Sequence, residues 1–407
     1  MHPLPWAGLV LAAVCAGASV AGLLVVRRTF EAMMAVCGMA SIGALTYAFY
    51  LIIAADGRPV VFLAGTGIAA AGFAGGFGLV SAVLETARTT RKRANPALTF
   101  QPSDADSTAV FLLADIENPT YGPGDVTAEI SDLVDAGVSE PSIGSTPFVY
   151  AAQKARYRAV GDLSPEYDQA RALCEKITPL LDHNRFDSCH LVRCRDGRAL
   201  TDAVGAAVDS GYRNVVVATA HVAESFRIDR EKSGVDPISG TGGVWITYTQ
   251  PLWASVPLAK LTVARILSVI SSRSDAGVAL VMSGQPGERE RTYAAFDVQE
   301  NAFVNRVKLL LTEAEVPAAN IRTCWHDWRT PDVSETVRHL AALGCSRIVV
   351  CPACFPFENL ATLLDFPVAI RQARVPGEVS VVQVAPWRDD DVFAEEIAAA
   401  VHATHQR

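Results

Sequence analysis

The sequence predicts an α/β protein: two similar doubly wound parallel-sheet halves preceded by three transmembrane helices. Three observations predict it. Apolar runs at residues 9–26, 33–53 and 60–84 are each long enough to cross a ~30 Å hydrocarbon core at about 1.5 Å per residue. After Arg93, short β-branched runs alternate with amphipathic stretches, the pattern of parallel strands joined by crossover helices. That alternation reads as one βαβαβ plan written twice, with the join near residues 271–276. The implied domains are a membrane anchor over 1–93, a polar Pro-containing linker over 94–107, an N-terminal half over 108–271 and a C-terminal half over 272–407.

The anchor comes first. The segment before the first run carries no Lys or Arg, the next loop carries Arg27 and Arg28, and the second carries only Arg58. Arg88, Arg91, Lys92 and Arg93 follow the third run. Basic residues stay on the cytoplasmic side, so the amino terminus is expected outside and the large domain in the cytoplasm, at the cell (inner or plasma) membrane. The competing reading, a cleaved signal peptide at 9–26, lacks the basic start such peptides carry. The third run is rich in small residues, including Gly65, Gly67, Gly72, Gly75, Gly76 and Gly78. These let helix backbones approach closely, either within the three-helix set or against an integral-membrane partner. No Asp, Glu, Lys or His lies mid-span, which argues against an ion path through these helices alone.

In the first half, strands are expected at 109–114, 187–192, 214–220 and 244–248, with helices at 153–181, 199–210 and 256–271. In the second, strands are expected at 278–283, 320–324, 347–351 and 378–384, with helices at 296–315, 333–343, 358–365 and 391–405. Both sheets should be covered on both faces, with any ligand at the carboxyl ends of the strands.

Composition limits the function. The net charge of −8 argues against a nucleic-acid partner. No Walker-type loop, G-x-S-x-G elbow or dinucleotide fingerprint is present: 114–119 reads Ala-Asp-Ile-Glu-Asn-Pro, so no nucleotide cofactor is expected. The nine cysteines do not imply disulfides in a reduced compartment.

Candidate site residues lie at strand ends. His221, with Glu224 three residues on, follows the strand at 214–220. It is read either as a metal or tetrapyrrole ligand or as a cap on the following turn. Cys351 and Cys354 form a C-x-x-C after the strand at 347–351, suited to zinc, iron–sulfur or redox chemistry, or simply two packed thiols. Cys189, Cys194 and Cys324 are the candidate further ligands. Trp325 and His326 bring aromatic and polar groups to the same rim.

At this point the chain resembles the ferrochelatase family, the enzymes that insert iron into porphyrin, from about residue 109 to the end. Arg156-Tyr157-Arg-Ala-Val-Gly161-Asp-Leu-Ser164-Pro165 is similar to the family's R-Y-x-x-I-G-G-x-S-P. The strand ending at His221, Pro251-Leu-Trp253 before the helix from 256, and residues 355–365 match further segments. The resemblance implies two doubly wound, chelatase-like halves and a tetrapyrrole cleft. It breaks where the chemistry sits. Gln285, in Ser283-Gly284-Gln285-Pro286, stands where the family has its essential His. In the acidic helix Glu358 survives, but the usual Glu is Ala361. Ile116-Glu117-Asn118-Pro119 replaces an aromatic-glycine turn, and the loop after Cys324 is shortened. No cysteine lies beyond Cys354, so a family-type iron–sulfur cluster is not supported.

Metal insertion needs a base for the pyrrole protons, and losing a general base typically costs about 10²–10⁴ in rate. The sequence therefore implies a membrane-anchored ferrochelatase-like protein that binds or delivers haem or porphyrin without normal iron insertion. Two alternatives stay open. One is an active chelatase of haem or related tetrapyrrole biosynthesis, using another metal (a divalent one) or another tetrapyrrole, with His221, Glu224 and Glu358 replacing the missing pair. The other is a structural or assembly subunit of a membrane complex.

Overall fold

The computed structural model describes residues 3–55, 58–90, 107–135, 137, 141–142, 145–194, 198–287 and 293–404. The expected linker lies outside these residues except for Ser107, as does His405 at the end of the last expected helix. The chain forms two compact units, Met1–Lys92 with Thr120–Asp162, and Arg93–Pro119 with Leu163–Arg407.

In the first unit, α1 (Pro3–Val25), α2 (Arg28–Ala55) and α3 (Pro59–Thr90) carry the three apolar runs. All three are long and apolar enough to cross a membrane. Glycine sets their closest approach. A Cβ on Gly76 would stand 1.9 Å from Val14 O, and one on Gly17 would stand 2.0 Å from Phe73 O. Gly72 and Gly76 are thus used within the helix set, while Gly67, Gly75 and Gly78 face open space.

Two more helices, α4 (Pro123–Asp135) and α5 (Thr146–Ala159), belong to this unit, although the sequence reading put residues 120–162 in the first α/β half. Polar contacts at the carboxyl end of α1 explain the grouping. The last carbonyls of a helix lack intrahelical partners. Lys154 Nζ donates to Leu23 O (2.7 Å) and Val26 O (3.1 Å) and pairs with Glu31 at 2.9 Å, while Tyr121 Oη donates to Val25 O at 2.6 Å.

The second unit holds two four-stranded parallel sheets. The first contains β1 (Thr108–Ala114), β2 (Phe186–Arg193), β3 (Asn214–Thr219) and β4 (Trp245–Tyr248), in the order β2-β1-β3-β4. The second contains β5 (Ala276–Met282), β6 (Ile321–Trp325), β7 (Arg347–Cys351) and β8 (Ser380–Gln383), in the order β6-β5-β7-β8. The duplicated plan is present, and every neighbouring pair runs parallel. The covering helices are α6 (Glu166–Ile177), α7 (Ala199–Asp209), α8 (Phe226–Val235), α9 (Val256–Ser268), α10 (Ala294–Glu313), α11 (Val333–Ala342), α12 (Phe366–Gln372) and α13 (Asp391–Thr404).

The first strand of each half is buried along its whole length, so its side chains divide between two cores. Val110, Leu112 and Ala114 share one core with Val278, Leu280 and Met282, which joins the two halves through α6, α9, α10 and α13. Ala109, Phe111 and Leu113 face a second core, and Ala279 and Val281 a third.

Two expected helices differ. The run at 153–181 is split into α5 and α6. Gly161 (φ 87°) and Asp162 (φ 66°) leave the helical region, and Ser164-Pro165 starts the next helix. The run at 358–365 begins in non-helical chain and becomes helical as one π-helical turn, Ala361–Asp365, leading into α12.

Candidate functional site

In each sheet the chain leaves the first strand to one side and returns on the other. The carboxyl ends of β1/β3 and of β5/β7 are therefore topological switch points, where open α/β sheets place ligands.

At the first switch point, Asp115 follows β1 and His221 follows β3. His221 Nε2 accepts the Asp115 backbone N–H at 2.8 Å. This uses the Nε2 lone pair and assigns the proton of the neutral ring to Nδ1. Burial holds the imidazole below its usual range, against the opposing charge of Asp115. Asp115 pairs with Arg227 (3.2 Å) and accepts Ser225 Oγ–H (3.2 Å). Burial would raise its pKa, but Arg227 and then His221 outweigh it and hold the carboxyl low. Ser225 caps α8, accepting Ile228 N–H. Glu224 forms an ion pair with Lys232, and its N–H donates to Gln299 Oε1 at 2.9 Å.

At the second switch point, Gln285 is buried and its Nε2 donates to Asp297 Oδ2 (2.8 Å) and Tyr293 O (3.2 Å). Asp297 also holds Arg329 at 2.9 Å, and Arg329 lies 5.9 Å from the Trp325 ring centre. His326 contacts Asp365 at 3.0 Å and sits edge-on to Phe355 and Phe366. Ala361 is buried in the apolar core under the sheet.

Cys351 and Cys354 are buried within the shared core. Burial pushes the Cys351 thiol up to about 12, and burial with the Glu300 charge pushes Cys354 well above its usual range. Thiolates are the metal-binding form, and in the metal-free protein both groups rest as protonated thiols. Cys189 contacts Cys174 instead, Sγ to Sγ 3.5 Å. Among the described residues no group of three or more His, Cys, Asp or Glu is placed to hold a metal ion.

Three acids escaped the sequence reading. Glu300, on α10, is buried, and its Oε1 accepts the Ser283 N–H at 3.1 Å. Burial raises it to about 7. Glu166, the first residue of α6, is buried, and its Oε2 accepts the Glu117 N–H at 2.6 Å. Each anchors the loop that follows the first strand of its half. Glu117 in turn accepts the Leu360 N–H at 2.5 Å. Beside it, Gln169 and Glu358 exchange two hydrogen bonds of 2.9 Å, and Glu358 also pairs with Arg388.

A signal for two of these acids was present. Glu166 precedes Ala170, Leu173 and Ile177, and Glu300 precedes Val304, Val307 and Leu311, at the same spacings of four, seven and eleven. A lone acid on an apolar stripe marks a buried charge with a task.

The structure thus ties Glu224, Gln285 and Trp325 to the first turns of α10, places His326 against the π-helical turn, and holds Glu358 where the two halves meet. His221 stands with Asp115 on the first half, and the two cysteines lie behind the rim.

No protein-family model matches the chain, and no curated protein matches it. By fold it is similar to SirB from Bacillus subtilis with Fe3+, at TM-score 0.48 and 12% identity over 73% of this chain and 95% of that one. It is also similar to the sirohydrochlorin chelatase SirB from Bacillus subtilis subspecies spizizenii in complex with cobalt, at TM-score 0.42 and 9% identity over 74% and 96%. Both scores lie below 0.5, too low to carry a functional argument.

Proposed function

We propose that this chain is a membrane-tethered, ferrochelatase-like protein that binds or hands on a tetrapyrrole and does not insert iron. One observation carries the second part. Of the two positions where the family resemblance requires a proton-accepting pair, Gln285 is pinned by Asp297 and Tyr293, and Ala361 is in the core. His221, Glu224 and Glu358, the possible replacements, are each engaged with Asp115, Lys232 and Arg388 respectively. The binding part is supported by the duplicated switch points, where open α/β sheets place ligands. Iron or another divalent metal enters this reading as cargo.

The same proposal keeps the amino terminus outside and the large domain in the cytoplasm, on the distribution of Arg and Lys around the three helices. It leaves Gly67, Gly75 and Gly78, which face open space, to an integral-membrane partner.

The test uses the full-length protein in detergent micelles. Haem and metal-free porphyrin are titrated while the Soret band is followed, and ferrous iron is then added without oxygen. Saturable binding with no insertion above the protein-free blank is expected. Insertion faster than the blank and lost in His221→Ala would restore the active-chelatase reading. No binding of either ligand would overturn the proposal and favour a structural subunit.

A further inference from the structure

Directly after β6 stand His326 and Asp327, an imidazole and a carboxylate side by side at the ligand end of a parallel strand. The loop that carries them is fastened to the loop after β5. His326 N–H donates to Met282 O at 2.9 Å, and Asp327 N–H donates to Ser283 O at 3.4 Å. Gly284 (φ 79°) permits this approach, since a Cβ there would stand 2.3 Å from Asp327 O.

The imidazole ring is held as well. Asp365, the last residue of the π-helical turn, places Oδ2 3.0 Å from His326 Nε2. Phe366 and Phe355 sit edge-on to the ring, with centres 5.6 and 5.9 Å away. A carboxylate accepts, so Nε2 carries the proton of the neutral ring and Nδ1 keeps its lone pair. Nδ1 lies 3.8 Å from Asp327 Oδ2, too far for a hydrogen bond. Two donors bonded at about 2.1 Å to one tetrahedral ion stand about 3.4 Å apart, so a small turn of the Asp327 side chain brings both onto one ion. An imidazole whose other nitrogen is held by a carboxylate is the usual arrangement at a metal. With 21% of the His326 side chain and 62% of the Asp327 side chain exposed, the gap is open to solvent.

We infer that His326 Nδ1 and Asp327 Oδ2 bind a divalent transition-metal ion, and that Asp365 is the residue positioning the imidazole. The charges agree, because two carboxylates around a neutral ring match an ion of charge +2. The imidazole favours zinc, iron, nickel or copper over calcium and magnesium. Two protein ligands leave the other positions to water, so the ion is held openly and is free to be passed on. As a waiting place for metal cargo the site rests on the proposed function. As a metal site it stands on this geometry.

The test is zinc titration by calorimetry into the full-length protein in micelles, made without a polyhistidine tag and stripped with chelator. One equivalent is expected to bind, and its affinity to fall at least tenfold in His326→Ala and in Asp327→Asn. Asp327 is largely exposed, so D327N carries the test if H326A does not fold. Asp365→Asn is expected to weaken binding by about ten- to a hundredfold, and Asp365→Glu, which keeps the carboxylate, to recover most of that loss. His183→Ala, at an exposed histidine elsewhere, should change nothing. No binding by the unaltered protein overturns the site. Unchanged affinity in D327N also overturns it, as does an equal loss in H183A. Unchanged affinity in D365N overturns the positioning role. No porphyrin is used, so failure here leaves the tetrapyrrole reading standing, and a protein that binds no porphyrin still reports on the metal site.

Discussion

Glu300 is the acid whose replacement has the clearest expected consequence. It is 2% exposed, and burial moves its carboxyl from an ordinary 4.5 to about 7. The folded state therefore prefers the protonated acid, and stability falls as pH rises from the lower value through the higher. At about 1.4 kcal/mol per pH unit, the gap amounts to roughly 3 kcal/mol lost between pH 4 and pH 8. Glu300→Gln removes this slope. The amide oxygen still accepts the Ser283 N–H, now held at 3.1 Å by Oε1. Its NH₂ takes the place of Oε2, beside the Cys354 thiol, and this shifts stability by an amount of its own that does not follow the acid's titration. The slope is therefore the test, rather than the absolute stability. Thermal unfolding is followed by tryptophan fluorescence, Trp387 being buried with its Nε1–H on Thr262 at 2.9 Å. At about 2 °C per kcal/mol for a unit of this size, the unaltered protein should lose about 6 °C more than E300Q between pH 4 and pH 8. Parallel pH profiles would refute the reasoning and show that the loop after β5 is built to hold the charged carboxylate.

Gly76→Val should break the α1–α3 contact, because its Cβ would fall 1.9 Å from Val14 O, while Gly75→Val meets open space. A loss of about 3 kcal/mol or more is expected for the first against less than about 1 for the second, read as resistance of the helix set to denaturing detergent. Cys351 and Cys354 should resist maleimide at pH 8 in the folded protein and react on unfolding, because burial keeps both thiols protonated. Rapid native labelling of either would refute this protection by burial.

The strands were legible because β1, β3, β5 and β7 are near-continuous apolar runs, the pattern of strands covered on both faces. Ends of elements were less so. The break at Gly161–Pro165 was in plain view, but periodicity on both sides hid it. His221, Glu224, Trp325, His326 and Glu358 were found because strand ends in a parallel sheet are ligand positions. Their partners were not found, since Asp115 lies 106 residues from His221 and Gln169 lies 189 from Glu358.

By itself the sequence determined three spans long enough for a bilayer, two sheets of one plan, and the absence of His and Glu at positions 285 and 361. Each follows from local periodicity or residue identity, which need no knowledge of neighbours. Only the tertiary structure decided that residues 120–162 join the apolar helices, that Gln285 is pinned, and that Glu166 and Glu300 are buried acids anchoring the loops at the switch points. Those outcomes depend on desolvation and on hydrogen bonds between residues far apart in the chain, and both exist only once the core has closed.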